Sequence, residues 1–110
     1  MPQSLRSMLG LAQRAGKAAS GEVAVEGALK RRKARLLIVA EDASGRTRER
    51  LAALAAQVGV PCYVVGTREE LGLALGKGHR AAVAVQSADF ANGIAGILSR
   101  EGLAPVAGRG

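Results

Sequence analysis

Histidine and cysteine are almost absent from this chain of 110 residues, which contains one of each. Because zinc sites usually take about three or four ligands from these residue types, a catalytic zinc enzyme is excluded in practice. A disulfide within the chain is impossible because Cys62 is alone. No apolar run approaches the roughly 18 residues of a membrane span. Arg6, Gln13 and Arg14 interrupt the apolar segment that a signal peptide would need. These absences predict a cytoplasmic protein without a membrane partner or a metal.

Aromatic side chains are also scarce, with one Phe, one Tyr and no Trp. A platform that binds single-stranded nucleic acid by base stacking is therefore disfavoured, because such platforms are built from exposed aromatic rings. Hydrophobic residues make up 48% of the chain, and a core of Ala, Val and Leu is expected from them. A chain of this length buries about 65% of its unfolded surface on folding, which predicts one core and a single domain.

Positive charge is abundant and unevenly distributed along the chain. Sixteen Lys and Arg outnumber nine Asp and Glu, which gives a net charge of +7. Residues 1–50 carry eleven of the cations and five of the acids, a net charge of +6, and residues 51–110 carry +1. Such an asymmetry predicts a polyanionic partner, and nucleic acid is the first candidate because phosphates attract a basic surface without any sequence code. A basic composition that serves solubility alone is the alternative.

Apolar residues at helical spacing alternate along the chain with short, continuous apolar runs. These patterns predict helices over residues 3–15, 21–32, about 47–58, 68–75 and 87–100, and buried strands over residues 36–40, 62–65 and 81–85. Ser20 is predicted to cap the second helix, and Thr67 with Glu70 has the spacing of a capping box. The alternation predicts an α/β domain over residues 1–100. Residues 101–110 contain three Gly and one Pro and are predicted to form a flexible tail.

Residues that could support catalysis do not form a recognisable set. The Gly-Lys pairs at 16–17 and 76–77 lack the spacing and the following Ser or Thr of a nucleotide-binding phosphate loop. His79 lies in a basic turn without a catalytic partner nearby in sequence, and Cys62 lies in an apolar strand, as is typical of a core residue. The carboxylates at 41–42 follow a strand, where α/β enzymes place such groups, although a solvated loop also explains them. The sequence predicts no enzyme, no cofactor and no small-molecule substrate.

Basic side chains cluster around the second predicted helix. The segment 30–35 holds five cations in six residues, whereas attraction to the negative end of a helix accounts for about one or two of them. Arg46, Arg48 and Arg50 follow at the start of the next helix, where the helix dipole disfavours them. Gly21 leaves the amides at the start of the second helix open to a close partner. These features predict phosphate and shape recognition of a folded RNA.

Seven strings of the sequence together carry a resemblance to a known family. They are LGLAQRAGK at 9–17, SGE at 20–22, KARL at 33–36, AEDAS at 40–44, VP at 60–61, GTREELG at 66–72 and LGK at 75–77. In combination and spacing they resemble the bacterial YlxQ-type proteins. These proteins belong to the kink-turn RNA-binding ribosomal protein family, which includes large-subunit proteins 7Ae and 30e. The resemblance covers residues 5–98, nearly the whole predicted domain.

The resemblance implies a single-domain three-layer α/β/α sandwich with a central sheet of about four strands. It also implies a non-catalytic protein, for which we expect a monomer, that binds structured, kink-turn-like RNA in a ribosomal or RNA-metabolism setting. The implied contacts lie at the start of the second helix with its preceding turn, and in the loop 76–82. With the basic segment, the candidate RNA-binding residues are Arg14, Gly16, Lys17, Ser20, Gly21, Glu22, Arg31, Arg32, Lys33, Gly76, Lys77, Gly78, His79, Arg80 and Ala81.

The second helix departs from the family pattern at three positions. Strong kink-turn binders have Gly-x-Asn-Glu-x-x-Lys here, and this chain has Val23, Ala24 and Gly27 in place of the Asn, Glu and Lys. The polar side chains that read guanine edges are therefore missing, and their loss removes discrimination between bases. The alternative hypothesis is a protein-interaction adaptor of the same fold with weak or general RNA affinity, in which Val23 and Val25 form an apolar contact.

Overall fold

The computed structural model describes residues 1–106, in which helices and strands alternate along the chain. In order, the elements are α1 (Gln3–Arg14), β1 (Ala18–Ser20), α2 (Glu22–Lys30), β2 (Leu36–Val39), α3 (Gly45–Val58), β3 (Cys62–Val64), α4 (Arg68–Leu75), β4 (Ala82–Val85) and α5 (Ala88–Arg100). Of the predicted flexible tail, residues 107–110 lie outside the described residues. Within the rest of that segment, the amide of Val106 donates a hydrogen bond of 2.7 Å to the carbonyl oxygen of Cys62.

The strands form one mixed sheet in the order β1-β4-β2-β3. Strand β4 pairs antiparallel with β1 and with β2, and β2 pairs parallel with β3. Helix α2 packs against α3, and α1 packs against α4 and α5, so two layers of helices enclose the sheet. This arrangement confirms the predicted three-layer α/β/α sandwich with a four-stranded sheet.

Aliphatic side chains make the core, as the scarcity of aromatic residues predicted. Every residue of β2 and of β4 is buried, which fits continuous apolar runs in strands that are covered on both faces. Among the described residues, no polar or charged residue is buried. Cys62 lies in this core at the start of β3, and burial raises the pKa of its thiol to about 11. The thiol is therefore protonated at neutral pH, as expected of a structural cysteine.

The segment between α1 and α2 differs from the sequence-based expectation. Strand β1 was not predicted, because its residues Ala18, Ala19 and Ser20 lack the β-branched and aromatic side chains that mark strands. The prediction that Ser20 caps α2 was wrong: Gly21, with a φ of 92°, occupies the capping position and no side chain caps the helix. The hydroxyl of Ser20 is instead occupied by Arg80, whose Nε donates a hydrogen bond of 3.2 Å to it.

Side-chain caps fix the starts of α3 and α4. The predicted capping box is confirmed, since the Thr67 hydroxyl accepts from the Glu70 amide at 3.1 Å and the Glu70 carboxylate accepts from the Thr67 amide at 2.9 Å. The Ser44 hydroxyl accepts from the Thr47 amide at 3.1 Å, so α3 begins at Gly45, slightly earlier than predicted. The capping box fixes the start of α4, and the loop 76–81 connects the end of this helix to β4.

Glu70 also anchors the beginning of the chain. Its carboxylate lies 3.1 Å from the Met1 ammonium group and 3.3 Å from the Arg6 guanidinium. The hydrogen bond from the Thr67 amide and, after it, the Met1 ammonium lower the pKa of Glu70 below its ordinary value of 4.5. With a lowered pKa in the folded state, ionised Glu70 stabilises the fold above pH 4.5, and this stabilisation is lost as the pH falls through the lowered pKa.

We expect Glu70→Gln to lower the free energy of unfolding at neutral pH by about 0.2–1 kcal/mol, because glutamine can keep the capping box but not the ion pairs. The difference from the wild type should shrink as the pH falls below 4.5, since the wild-type carboxyl group is then protonated as well. Urea unfolding of both proteins over a pH series checks this expectation. A difference that stays constant into acid would contradict it.

Candidate nucleic-acid interface

The start of α2 and the loop before β4 lie side by side. The amide of Gly21 donates a hydrogen bond of 3.0 Å to the carbonyl oxygen of Ala82, the first residue of β4. The Nε of Arg80 donates to the Ser20 hydroxyl at 3.2 Å. These bonds join two predicted segments of the RNA-binding site into one surface. We call residues 20–22 and the loop 76–81 the helix-start surface.

Gly72 of α4 holds the loop 76–81 at close range. A β-carbon at Gly72 would lie 2.1 Å from the carbonyl oxygen of Gly78, a distance that real β-carbons do not show, so glycine alone leaves room for the loop. The carbonyl oxygen of Gly72 also accepts a hydrogen bond of 2.8 Å from the Lys77 amide. Residues 76–79 are nevertheless exposed. The loop therefore has a closely attached backbone and a free edge that carries Lys77.

Arg80 stabilises the same loop through its guanidinium group. This group donates hydrogen bonds to the carbonyl oxygens of His79 at 3.0 Å and Gly78 at 3.4 Å, besides the one to Ser20. The Arg80 amide donates to the carbonyl oxygen of Arg68 at 3.1 Å. The three oxygens that accept hydrogen bonds from the Arg80 guanidinium are all neutral. Within residues 1–106 Arg80 forms no ion pair. Its positive charge is therefore uncompensated and can act on an anionic ligand.

The outward face of α2 beside this surface is apolar. Val23 is 88% exposed, Ala24 is exposed and Gly27 has no side chain. None of these side chains can donate a hydrogen bond to a base or a phosphate. Val25 is fully buried, because positions two apart on a helix do not share a face. Val25 therefore cannot join Val23 in an apolar contact with a protein partner, and this part of the adaptor hypothesis is wrong.

Glu22 connects α2 to α3 through its side chain. Its carboxylate accepts a hydrogen bond from the Thr47 hydroxyl and lies 3.3 Å from the Arg50 guanidinium. The hydrogen bond from Thr47 and the contact with Arg50 lower the pKa of Glu22. Arg50 also pairs with Glu26 at 2.8 Å, so this cation of the α3 start is compensated. What Glu22 can offer a ligand is its backbone amide in the first turn of α2.

Other cations of the predicted site lie at the opposite end of β1 and α2. The amide of Gln86 donates to the carbonyl oxygen of Lys17 at 2.8 Å, and the amide of Arg35 donates to that of Val85 at 2.7 Å, which brings these segments together. They enclose a groove of about 410 Å³ that we call the basic groove. It is lined by Gly16, Lys17, Arg31, Arg32, Lys33, Arg35 and Gln86. Since the nine residues of α2 span about 13.5 Å, the groove lies roughly one helix length from the helix-start surface.

The structure thus separates residues that the sequence had grouped. Gly16 and Lys17 were expected beside the start of α2, but β1 carries the chain along the sheet before that helix begins. Arg14 lines a different groove, between α1 and α4, together with Arg6, Leu11 and Leu73 among others. Sequence reasoning missed Gln86 and left Arg35 out of the site, although Arg35 continues the basic run that ends α2. Gln86 lies beside Lys17 because β1, which the sequence did not reveal, pairs with β4, and Arg35 lies there because β2 pairs with the other edge of β4.

The described residues contain no cluster of His, Cys, Asp and Glu that could hold a metal ion. None of their helices combines the length and the apolar character that crossing a membrane requires. The groups that both surfaces do offer are Lys and Arg side chains near accessible backbone amides. These are the groups that proteins use to bind phosphate.

An α/β/α sandwich with cationic surfaces at both ends of one helix belongs to the class of small basic domains that can bind polyanions. Residues 3–94 match the ribosomal protein L7Ae/L30e/S12e/Gadd45 family, and the chain belongs to this family. RNA-binding protein YlxQ of Bacillus subtilis (strain 168) is 37% identical over 91 residues, which cover 83% of this chain and 91% of the relative. RNA-binding protein YlxQ of Enterococcus faecium is 32% identical over 75 residues, which cover 68% and 73%.

Solved structures show the same similarity. A protein of unknown function from Bacillus halodurans superposes with a TM-score of 0.85 at 33% identity, over 89% of this chain and 99% of the other. The 15.5kD RNA binding protein of Giardia lamblia superposes with a TM-score of 0.76 over 88% of this chain and 83% of the other, and at 21% identity it shares the fold. The resemblance to the YlxQ-type proteins that the sequence strings indicated is thereby confirmed.

Proposed function

We propose that this protein binds structured, kink-turn-like RNA through the helix-start surface and has no catalytic activity. The observation that carries the proposal is the hydrogen bond of 3.2 Å from Arg80 to Ser20, which joins the loop 76–81 and the start of α2 into one surface. Family membership supports it, and so do the names of two relatives that are RNA-binding proteins. We extend the proposal to a monomeric, cytoplasmic protein in a ribosomal or RNA-metabolism setting.

The geometry of the surface suits a distorted RNA backbone. Gly21 leads into α2 with a positive φ and no β-carbon, so a phosphate can approach the free amides at the start of that helix. Beside it, Lys77 and Arg80 supply positive charge from a loop with a closely attached backbone. Regular duplex RNA presents phosphates at uniform spacing, whereas a kink brings them close together. A compact surface with two cations and several amides fits the kinked form better.

Recognition on this surface would rely on RNA shape more than on base identity. Val23, Ala24 and Gly27 have no polar side chains, so these three positions of α2 cannot read base edges directly. The test is a titration of the wild type with a kink-turn RNA and with a plain duplex of equal length, each over a series of salt concentrations. We expect tighter binding to the kink-turn and a steep loss of affinity with salt. The absence of binding to either RNA at low salt would refute the proposed function.

Lys77→Gln should weaken binding to the kink-turn RNA about three- to tenfold and lower the slope of log affinity against log salt by about 0.7–0.9, as expected for one lost phosphate contact. Thermal stability should not change, because the Lys77 side chain is exposed and in residues 1–106 makes no hydrogen bond or ion pair. Arg100→Gln at the end of α5 is the matched control, since it removes one exposed charge outside both surfaces. Equal effects of the two substitutions would count against the helix-start surface.

A further inference from the structure

The basic groove lies apart from the helix-start surface and is not needed to complete it. We propose that this groove is a second RNA-backbone site, which binds phosphates of the same RNA about one helix length from the first contact. The inference rests on the proposed function, because it adds a separate surface to the binding of one RNA. Charge, backbone conformation and side-chain packing each support it.

Five cationic side chains converge in the groove without a compensating carboxylate. The cations are Lys17, Arg31, Arg32, Lys33 and Arg35. Within residues 1–106 none of them forms an ion pair. The neighbouring Lys30, by contrast, lies 2.9 Å from a carboxylate oxygen of Glu26. Like charges held together repel each other, and a polyanion would relieve this repulsion.

Four of the cations come from the short segment 31–35, and the fold brings the fifth, Lys17, beside them. Arg31, Arg32 and Lys33 follow α2, where the helix dipole favours positive charge. Lys17 comes from the turn before β1 and Arg35 from the residue before β2, where that dipole is no explanation. The fold therefore assembles the charge from two connections of the chain. A phosphate backbone, with regularly spaced negative charges, matches such an elongated cationic surface better than a single anion does.

The end of α2 has an unusual backbone that brings a cation into the groove. The residue that terminates each helix of the described chain has a positive φ, and in α1, α3, α4 and α5 it is a glycine: Gly16, Gly59, Gly76 and Gly102. In α2 it is Arg32, with a φ of 58°. The amides of Arg32 and Lys33 donate to the carbonyl oxygens of Leu29 at 3.1 Å and Ala28 at 2.9 Å, which is the Schellman pattern of a helix end.

A side chain at this position destabilises the fold, because the β-carbon crowds the backbone in the left-handed conformation. Glycine is the usual residue there, and this chain has it at the corresponding position of its other described helices. Arg32 therefore stands where glycine would fold with less strain, and its side chain lines the basic groove. Strained residues of this kind cluster at sites of ligand binding.

Arg31 extends the groove along α2 because Gly27 leaves room for it. A β-carbon at Gly27 would lie 2.9 Å from Nη1 of Arg31. The guanidinium group therefore lies over the preceding turn of α2, on the side where residues four apart are neighbours. This position directs the cationic surface from the end of α2 toward the helix-start surface. An RNA that contacts both surfaces would pass along this face of the helix.

The test compares Arg32→Gly with the wild type for binding to a kink-turn RNA whose stem is long enough to reach the groove. We expect the affinity of Arg32→Gly to fall about three- to tenfold and its salt slope to decrease by about 0.7–0.9. Its Tm should rise by about 3 °C or more, because glycine relieves the left-handed strain. Arg32→Lys is the matched control: it keeps both the charge and the strain, so its Tm should equal that of the wild type and it should retain most of the affinity.

Wild-type affinity and salt slope for Arg32→Gly would overturn the second site, provided that Lys77→Gln still weakens binding. In that case the proposed function stands and the groove has no part in it. A wild type that binds neither RNA would instead refute the proposed function itself. If Arg32→Gly alters capture of an acidic protein but leaves RNA binding unchanged, the groove is a protein site and our inference is wrong.

Discussion

Gly72→Ala is expected to lower the free energy of unfolding by about 1–3 kcal/mol, because the added methyl group overpacks a closed contact between α4 and the loop 76–81. The β-carbon would lie 2.1 Å from the carbonyl oxygen of Gly78 and 2.7 Å from its carbonyl carbon. Both atoms belong to the backbone, so no side-chain rotation can relieve the clash. The gain of up to about 1 kcal/mol from replacing glycine inside a helix is too small to offset it.

The same substitution should reduce affinity for a kink-turn RNA more than tenfold, because the only way to relieve the clash is to move the loop away from α4. Displacement of Gly78 would shift the neighbouring Arg80 and with it the hydrogen bond to Ser20 that joins the two parts of the surface. Urea unfolding and RNA titration at a temperature well below the Tm of the variant separate the two effects. The titration then measures folded protein with a displaced loop.

Gly96→Ala in α5 is the matched control for Gly72→Ala. It also replaces a glycine inside a helix, but its β-carbon would meet its nearest neighbour, Nη1 of Arg100, at an ordinary distance of 3.6 Å. We expect it to be neutral or slightly stabilising and to bind RNA as the wild type does. If Gly72→Ala matched this control in both stability and affinity, the loop would not depend on the close contact with α4.

The centre of the sheet and the capping box of α4 could be predicted because both have a local sequence signal. The continuous apolar runs of β2 and β4 are typical of strands covered on both faces, and the spacing of Thr67 and Glu70 is that of a capping box. Strand β1 had no such signal. It is held by backbone hydrogen bonds to β4, which any residue except proline can make. Its alanines are not residues that favour strands, so they give no signal in the sequence.

The candidate site was predicted as a set of residues but not as an arrangement. Without β1, Lys17 appeared to lie next to Gly21, and the end of α2 appeared to belong to the same surface. Three residues of strand are enough to place Lys17 about 13 Å from Gly21 and to create two surfaces from one predicted site. The contact between Gly72 and Gly78 and the left-handed Arg32 depend on tertiary packing, and composition or spacing cannot reveal them.

One signal for the second site was nevertheless present in the sequence. A predicted helix that ends without glycine or asparagine, in a chain whose other helices are followed by glycine, indicates that its last turn has another task. The pair Gly27 and Arg31 has the spacing of neighbours on one helix face. The pair places the guanidinium of Arg31 over the side of α2 that Gly27 leaves open, and this geometry can be altered without changing the charge of the protein.

Gly27→Ala should therefore weaken RNA binding about three- to tenfold, as expected for the loss of one phosphate contact, while it leaves the net charge at +7. The new β-carbon would lie 2.9 Å from Nη1 of Arg31, so the guanidinium has to shift from its position over α2, which would disturb the proposed phosphate contact. The free energy of unfolding should rise by up to about 1 kcal/mol, because alanine favours the helix and the displaced group is the flexible end of a side chain. We therefore expect Gly27→Ala to be more stable than the wild type and to bind RNA more weakly.

Gly96→Ala again serves as the comparison, because α5 repeats the same Gly-Arg spacing with Arg100 and leaves 3.6 Å between the new β-carbon and Nη1. It should gain a similar stability and keep wild-type RNA affinity. Measuring both variants by urea unfolding and by RNA titration over a salt series distinguishes displacement of Arg31 from a general effect of alanine in a helix. If Gly27→Ala bound RNA as tightly as Gly96→Ala, Arg31 would not contact the RNA from its position over α2, and the cationic surface would end at the basic groove.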